Sequence, residues 1–251
     1  RFYFRYIAGI REPEEMEERP GPEVLGNLIH SAMEFLYQGK QHMEREDILQ
    51  LKEHTGKAVD HAFNELYPYA GRSLSGYHLL NYQIVHRLVH RILETDARHA
   101  PFTVIGLEHE FSKRLNNGLT ARGIADKILL RNNIIEILDY KTGNVSVTTQ
   151  TDQIFTDARY KAAFQLFYYA MLVKHQRKSG KIRIGFYRLK SLSASIEFLN
   201  EGECLTEDMI NRFEERVEQL TEEILNPRQA FNPTDDIKQC EYCPYKTLCK
   251  R

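Results

Sequence analysis

Val24, Leu25, Leu28, Ile29, Ala32, Phe35 and Leu36 recur at the period of one helical face, and Pro22 suits a first helical residue. The pattern predicts a helix from Pro22 to about Tyr37, its start punctuated by Pro20-Gly21-Pro22. A polar, His-containing stretch from Asp47 to Leu66 reads as a second helix. Leu79, Leu80, Val85, Leu88, Val89, Ile92 and Leu93 make a third, ending near His99-Ala100-Pro101. The character then turns to β. Phe102–Phe111 is β-rich, Asn116-Asn117-Gly118 is a hairpin signal, and Leu119–Leu130 follows as a strand. After a turn at Arg131-Asn132-Asn133, Ile134–Tyr140 completes an antiparallel meander. Gly143–Asp157 is polar and predicted as loop, Ala158–Lys178 as helix, and Lys181–Leu189 and Ala194–Leu199 as strands. Thr206–Leu225 is amphipathic, with Met209, Ile210, Phe213, Val217, Leu220 and Ile224 on one face. Pro227 and Pro233 release the chain into a Cys-bearing tail. Helices, a meander, a crossover helix, further strands and a capping helix make an α/β layer fold.

The 251 residues are 42% hydrophobic and 27% charged, which excludes a disordered, collagenous or coiled-coil chain. No run reaches the ~18 apolar residues of a membrane helix. The chain opens Arg-Phe-Tyr-Phe-Arg-Tyr, without Met or a signal-peptide pattern, and reads as a segment of something longer. Four Cys, three of them in the last twelve residues, suit a reducing, cytoplasmic compartment better than a secreted disulfide scaffold. Net charge is −1, but its distribution is uneven. Ala158–Ile196 holds no Asp or Glu and nine cations: Arg159, Lys161, Lys174, Arg177, Lys178, Lys181, Arg183, Arg188 and Lys190. The acids gather elsewhere, from Glu12 to Glu18 and from Glu201 to Glu223. Such a segment is either a solvated basic face, the plainer reading, or a local grip on a phosphate backbone.

The chemistry concentrates in Gly123-Ile-Ala-Asp126 and Ile137-Leu-Asp139-Tyr-Lys141-Thr-Gly143. Strand alternation sends Asp139 and Lys141 one way and Leu138 and Tyr140 the other. Pairing through the Arg131-Asn132-Asn133 turn lets Asp126 converge on Asp139. Two such carboxylates repel unless a cation lies between them, and Mg²⁺ takes carboxylate oxygens, water and substrate phosphate. Lys141 is then placed to orient or deprotonate a water, the toolkit of metal-assisted phosphodiester hydrolysis. A lone Asp-x-Lys is usually a surface pair; here the Asp closes the apolar run Ile-Ile-Glu-Ile-Leu.

Asp126 followed by Asp139-Tyr140-Lys141-Thr-Gly resembles the PD-(D/E)XK nuclease superfamily in its RecB/AddB-like exonuclease branch. Gly26-Asn-Leu-Ile-His30 is similar to that branch's Gly-x-x-x-His helix, Gln165-Leu-Phe-Tyr-Tyr169 to its Gln-x-x-x-Tyr helix, and Cys240-Glu-Tyr-Cys243-Pro-Tyr-Lys-Thr-Leu-Cys249 to its iron–sulfur motif. The opening Arg1-Phe-Tyr-Phe-Arg-Tyr-Ile resembles the segment after the family's first cluster Cys, so the likeness runs end to end. It implies a restriction-endonuclease-like core, a central mixed β-sheet flanked by helices with an N-terminal helical part. It implies one nuclease domain over 1–251, with a helical part (1–100) carrying His30, a catalytic sheet core (101–200) and a capping helix with Cys-rich tail (201–251). His30, Asp126, Asp139 and the Tyr140 carbonyl become ligands of Mg²⁺ or Mn²⁺, Lys141 a catalytic group, and Gln165 and Tyr169 contacts to DNA or supports of the lysine. Glu108 matches an upstream acidic ligand, although Glu110 shares its strand face. Off the apolar stripe, about 140° from Leu25, His30 is otherwise an ordinary solvated helix His.

The implied function is a metal-dependent DNA exonuclease that processes DNA ends in double-strand-break repair beside a helicase, with no membrane association. The alternatives are a nuclease fold that grips DNA without cutting it and a CRISPR-adaptation nuclease of the same superfamily. By resemblance Cys240, Cys243 and Cys249 hold a 4Fe–4S cluster whose fourth, upstream Cys is missing from this sequence; zinc is the competing chemistry. Cys204 reads as buried or free, and His86 and His90, lacking the Glu of a His-Glu-x-x-His site, as a helix flank. No phosphate-binding Gly-rich loop or nucleophile elbow is present in the sequence.

Overall fold

A computed structural model describes residues 1–11, 22–67, 76–177, 180–189, 194–241 and 243–250. The Pro20-Gly21 turn, the acids from Glu12 to Glu18, and Lys178 and Lys190 of the basic segment lie outside these residues. The chain divides into two compact units, Arg19–Glu218 and the smaller Arg1–Glu18 with Gln219–Arg251.

In the larger unit, α1 (Pro22–Tyr37) buries Leu28, Ile29, Ala32, Met33 and Leu36, the stripe its sequence spaces along one face. The helix expected over 47–66 is broken into α2 (Arg45–Leu51), a 3₁₀ turn (Lys52–His54) and α3 (Thr55–Leu66). Thr55-Gly56, two poor helix-interior residues, sit at the break. The bend lets Ile48 and Leu51 enter the same core as Ala58, Val59, Ala62 and Phe63. α4 (Gly76–His99) completes this layer with Val85, Leu88, Val89, Ile92 and Leu93.

The sheet has six strands in chain order: β1 (His42–Met43), β2 (Phe102–Arg114), β3 (Thr120–Arg131), β4 (Ile134–Lys141), β5 (Lys181–Arg188) and β6 (Ser195–Phe198). All neighbours are antiparallel except β4 and β5, which run parallel because α6 (Lys161–Gln176) carries the crossover between them. This is the mixed, helix-flanked sheet of a restriction-endonuclease-like fold. Asn132 and Asn133, with φ of 50° and 60°, make the tight two-residue turn between β3 and β4. The sheet separates two apolar cores. One lies against α1–α4; the other lies against α6 and the buried Ile210, Phe213 and Val217 of α7 (Glu207–Leu225). β4 feeds both, Leu138 and Tyr140 into the core against α1–α4 and Ile135 and Ile137 into the core against α6, as a strand buried on both faces must.

Part of the stretch expected as loop, Gly143–Asp157, is helical: α5 (Thr151–Thr156) buries Ile154, and Phe155 packs on Phe164 and Phe213. A polar turn-and-a-half anchored by two apolar side chains gives too short a periodic signal to be read in advance.

In the smaller unit a single π turn (Tyr3–Ile7) brings Phe4 to Tyr245, ring centroids 5.4 Å apart, and Phe2 stacks on Phe231. Tyr245 is buried and donates to the Ile10 carbonyl at 2.8 Å, tying the two ends of the chain together. No described helix is long and apolar enough to cross a membrane.

Candidate active site

The ladder between β3 and β4 ends at the pair Lys127↔Leu138, while β4 stays paired with β5 as far as Lys141↔Arg188. Asp126 is the first residue past that last rung. Its Oδ2 accepts from the Tyr140 N–H at 2.9 Å, in place of the ladder bond the parted strand no longer supplies. Asp139 lies across this fork and is 1% exposed, with Asp126 at 6%. Asp126 from the middle of β3 and Asp139 from near the end of β4 are thus both carried into the protein.

His30, on α1, reaches the same fork. Its Nδ1 is 2.6 Å from Glu108 Oε1 and its Nε2 3.5 Å from Asp126 Oδ2. Glu108, on β2, has φ of 43°, close beyond an irregularity of pairing between Val104 and Gly106. A left-handed, non-glycine residue beside a bulge re-aims its side chain. Simple alternation therefore fails here: Glu108 turns to His30, whereas Glu110 is largely exposed, 3.9 Å from Arg122. A carboxylate on one imidazole nitrogen, with the other facing a second carboxylate, is the setting of a metal-ligating histidine.

Ligand-capable atoms of His30, Glu108 and Asp126 lie within 4.8 Å of one another; Asp139, on β4, is outside that trio but near enough for its charge to act on Asp126 and His30. Lys141 Nζ stands 2.7 Å from Asp139 Oδ2 as an ion pair off the hydrogen-bonding direction, so neither buried Asp139 oxygen has a hydrogen-bond partner among the described residues. Carboxylate oxygens without donors, beside one imidazole, fit a hard divalent cation. The electrostatics agree. Burial, then the charge of Asp139, lifts Asp126 to about 7, against the pull of His30 and the Tyr140 N–H. Burial also lifts Asp139, opposed chiefly by Lys141. Burial alone would depress His30, but the Glu108 hydrogen bond and the charge of Asp126 outweigh it and raise its pKa. Two acids that resist ionising together are short of one positive charge.

Lys141 is held from α6 as well. It donates to Gln165 Oε1 at 2.9 Å, and Gln165 Nε2 donates to Tyr169 Oη at 2.9 Å, an i, i+4 pair on one helical face. Tyr169 in turn packs over Gly123. A Cβ there would meet Tyr169 Cε1 at 3.1 Å and Leu172 Cδ1 and Tyr168 Cε1 at 3.2 Å. Phe167 is wholly buried, and Tyr168 is half-buried with its hydroxyl on the Arg122 carbonyl at 3.1 Å. The ring of Tyr140 lies in the other core, edge-on to His30 with centroids 5.4 Å apart.

His90 pairs with Glu94 along α4, at 3.6 Å, and His86 stacks on Tyr82. Cys240, Cys243 and Cys249 are free, partly exposed thiols of the smaller unit, and Cys204 belongs to the larger one. Three thiolates fall one short of the four that a cubane cluster takes. The sequence pattern passed over Lys127 and Asp96, both buried behind the fork; the signal was a lysine inside the apolar run of β3.

The mixed sheet opens between two strands, and there acids, an imidazole and a lysine gather in an arrangement that could hold a metal ion. The model of the PD-(D/E)XK nuclease superfamily matches residues 1–250, and the chain belongs to that superfamily. Its members are nucleases that generally use divalent metals. No curated protein matches the chain at a significant level. Among solved structures it is similar to that of SSO0001, at 17% identity and a TM-score of 0.35 over 90% of this chain and 84% of that one.

Proposed function

We propose that the protein is a Mg²⁺- or Mn²⁺-dependent deoxyribonuclease of the RecB/AddB exonuclease type, acting on DNA ends beside a helicase in break repair. The observation that carries the reading is the fork itself, where two buried acids, Asp139 without a hydrogen-bond partner among the described residues, meet His30 from α1 and Lys141 from the end of β4. His30, Asp126, Asp139 and the Tyr140 carbonyl would hold the cation, with Glu108 either joining them or orienting His30 through Nδ1. When bound, the cation lowers the pKa of water and draws charge from a phosphate oxygen. The chain's own residues do the rest. Lys141, braced between Asp139 and Gln165, presents an ammonium that orients the attacking water and offsets charge building on the phosphate. The lysine, a donor only, sets the Gln165 amide with its oxygen inward, and Tyr169 accepts from the amide nitrogen. On the same reading Cys240, Cys243 and Cys249 with a fourth ligand hold an iron–sulfur cluster that fastens the chain ends.

Digestion of linear single- and double-stranded DNA with and without Mg²⁺ tests this. Asp139→Ala and Lys141→Ala should each lower cleavage by about 100-fold or more while the far-ultraviolet circular dichroism stays native. Wild-type-like cleavage in either variant rejects the assignment, and DNA binding without cleavage in the wild type favours a gripping module.

A further inference from the structure

Behind the fork, in the core shared with α1–α4, an ion pair is shut away from water. Lys127 Nζ is 2.7 Å from Asp96 Oδ2, and both side chains are 0% exposed. Tyr37 donates to the same oxygen at 2.6 Å, and the Tyr187 hydroxyl donates to Asp96 Oδ1. Lys127 also donates to Tyr187 Oη at 3.3 Å, and its ammonium stands over the rings of Tyr37, Tyr187 and Phe102 at 4.5, 5.2 and 5.4 Å.

Each group that meets Asp96 comes from an element that bears a site residue or is paired with one that does. Tyr37 ends α1, which carries His30. Lys127 directly follows Asp126 and is half of the last rung before β3 and β4 part. Tyr187 is the β5 register partner of Tyr140, which sits between Asp139 and Lys141; the two rings lie 4.9 Å apart. One carboxylate on α4 therefore ties together the elements that present the site. Stability is a weak reason to keep it, because replacing a buried ion pair by apolar side chains of similar size is often neutral or stabilising.

We propose that Asp96 is a positioning residue: through Tyr37, Lys127 and Tyr187 it holds α1, β3 and the β4–β5 pair in the register that gathers His30, Asp126 and Asp139 around one cation. The proposal rests on the metal-site reading above. It concerns residues on the far side of the sheet from Lys141 and Gln165, touching neither DNA nor metal.

Mn²⁺ binding followed by calorimetry, with a thermal melt of each protein, separates positioning from bulk stability. The paired substitution Asp96→Leu with Lys127→Met removes both charges at once. It should still fold, melting somewhat below the wild type because the Tyr37 and Tyr187 hydroxyls lose their acceptor, yet bind Mn²⁺ about 10–100-fold more weakly, the usual effect of losing support behind a ligand. Cleavage should show the loss in kcat with KM for DNA little changed. Tyr187→Phe and Tyr37→Phe, which each delete one hydroxyl and keep the ring, should give smaller losses in the same direction. Wild-type Mn²⁺ affinity in a folded double variant overturns the proposal. If the double variant does not fold, unchanged affinity in both tyrosine variants overturns it equally. A wild-type protein that binds no Mn²⁺ overturns the metal-site reading itself, a different result from a wild type that binds and variants that bind as well.

Discussion

The two acids at the fork illustrate how a residue's neighbours set its chemistry. Asp126 is held near 7 by burial and by the charge of Asp139, so it must release a proton before it ligates a cation. Mn²⁺ affinity should therefore climb by at least about tenfold per pH unit towards pH 7, a profile that calorimetry between about pH 5.5 and 8.5 reads directly. The sign for stability runs the other way. A carboxyl whose folded pKa lies above its unfolded value binds more protons when folded, so its contribution is full at low pH and is lost as pH rises through about 7. Asp139 and His30, both raised, act in the same direction. In chelator the melting temperature should fall as pH approaches neutrality, Mn²⁺ should restore it, and Asp126→Asn should flatten the slope. A metal-free melt that rises over that range contradicts the picture. Asp126, Asp139 and Lys141 stood out in the sequence because a charge ending an apolar strand breaks a pattern. The aim of Glu108 did not, because a left-handed φ on a glutamate has no signature in composition or period.

Among elements, the legible ones were those whose burial is one-sided and long. α1, α4 and α7 advertise their stripes, and the Asn-Asn turn between β3 and β4 needs a positive φ that asparagine tolerates. The two-residue β1 and the short α5 are held by tertiary contacts and carry too few residues for a period. The break at Thr55 arises because one straight helix could not have turned both its halves to the same core. The seating of α6 on β3 explains the glycine three residues before Asp126. Gly123→Ala places a methyl within 3.1–3.2 Å of Tyr169, Leu172 and Tyr168, so the helix must shift by a few tenths of an ångström, and the shift passes through Gln165 to Lys141. The expected cost is about 1–3 kcal/mol in stability from overpacking and roughly a 3–30-fold loss in kcat from the displaced ammonium. A double-mutant cycle decides whether the path is real. In a Gln165→Ala background the same substitution should lower kcat little further, whereas additive losses show that Gly123 acts on the site by another route.

Over the whole molecule, the long acid-free stretch turns out to be acid-free only along the chain. Folding returns its cations to carboxylates supplied from elsewhere: Arg183 to the wholly buried Glu136, which also takes His99 at 2.5 Å, Arg188 to Glu197, and Lys174 to Glu207. Arg159 closes on Asp157, just outside the stretch. Charge runs are read in one dimension, and partners brought by β4 and β6 are invisible there. Lys161, Arg177 and Lys181 remain exposed, and of these Lys161 stands one turn before Gln165 on the same helix, directed by the i, i+4 spacing to the face that meets Lys141. These two kinds of cation should behave oppositely. Lys161→Ala should leave the melting temperature unchanged, weaken DNA binding at low salt, and reduce the slope of log K against log salt by about one, the mark of one lost phosphate contact. Arg183→Ala strips one of three partners from a carboxylate with no exposure, which costs about 1–3 kcal/mol, and should leave the salt slope of whatever protein stays folded as it was. Equal salt slopes in wild type and Lys161→Ala would place the DNA path away from the start of α6, and a reduced slope in Arg183→Ala would mean that Glu136 does not hold that guanidinium in solution.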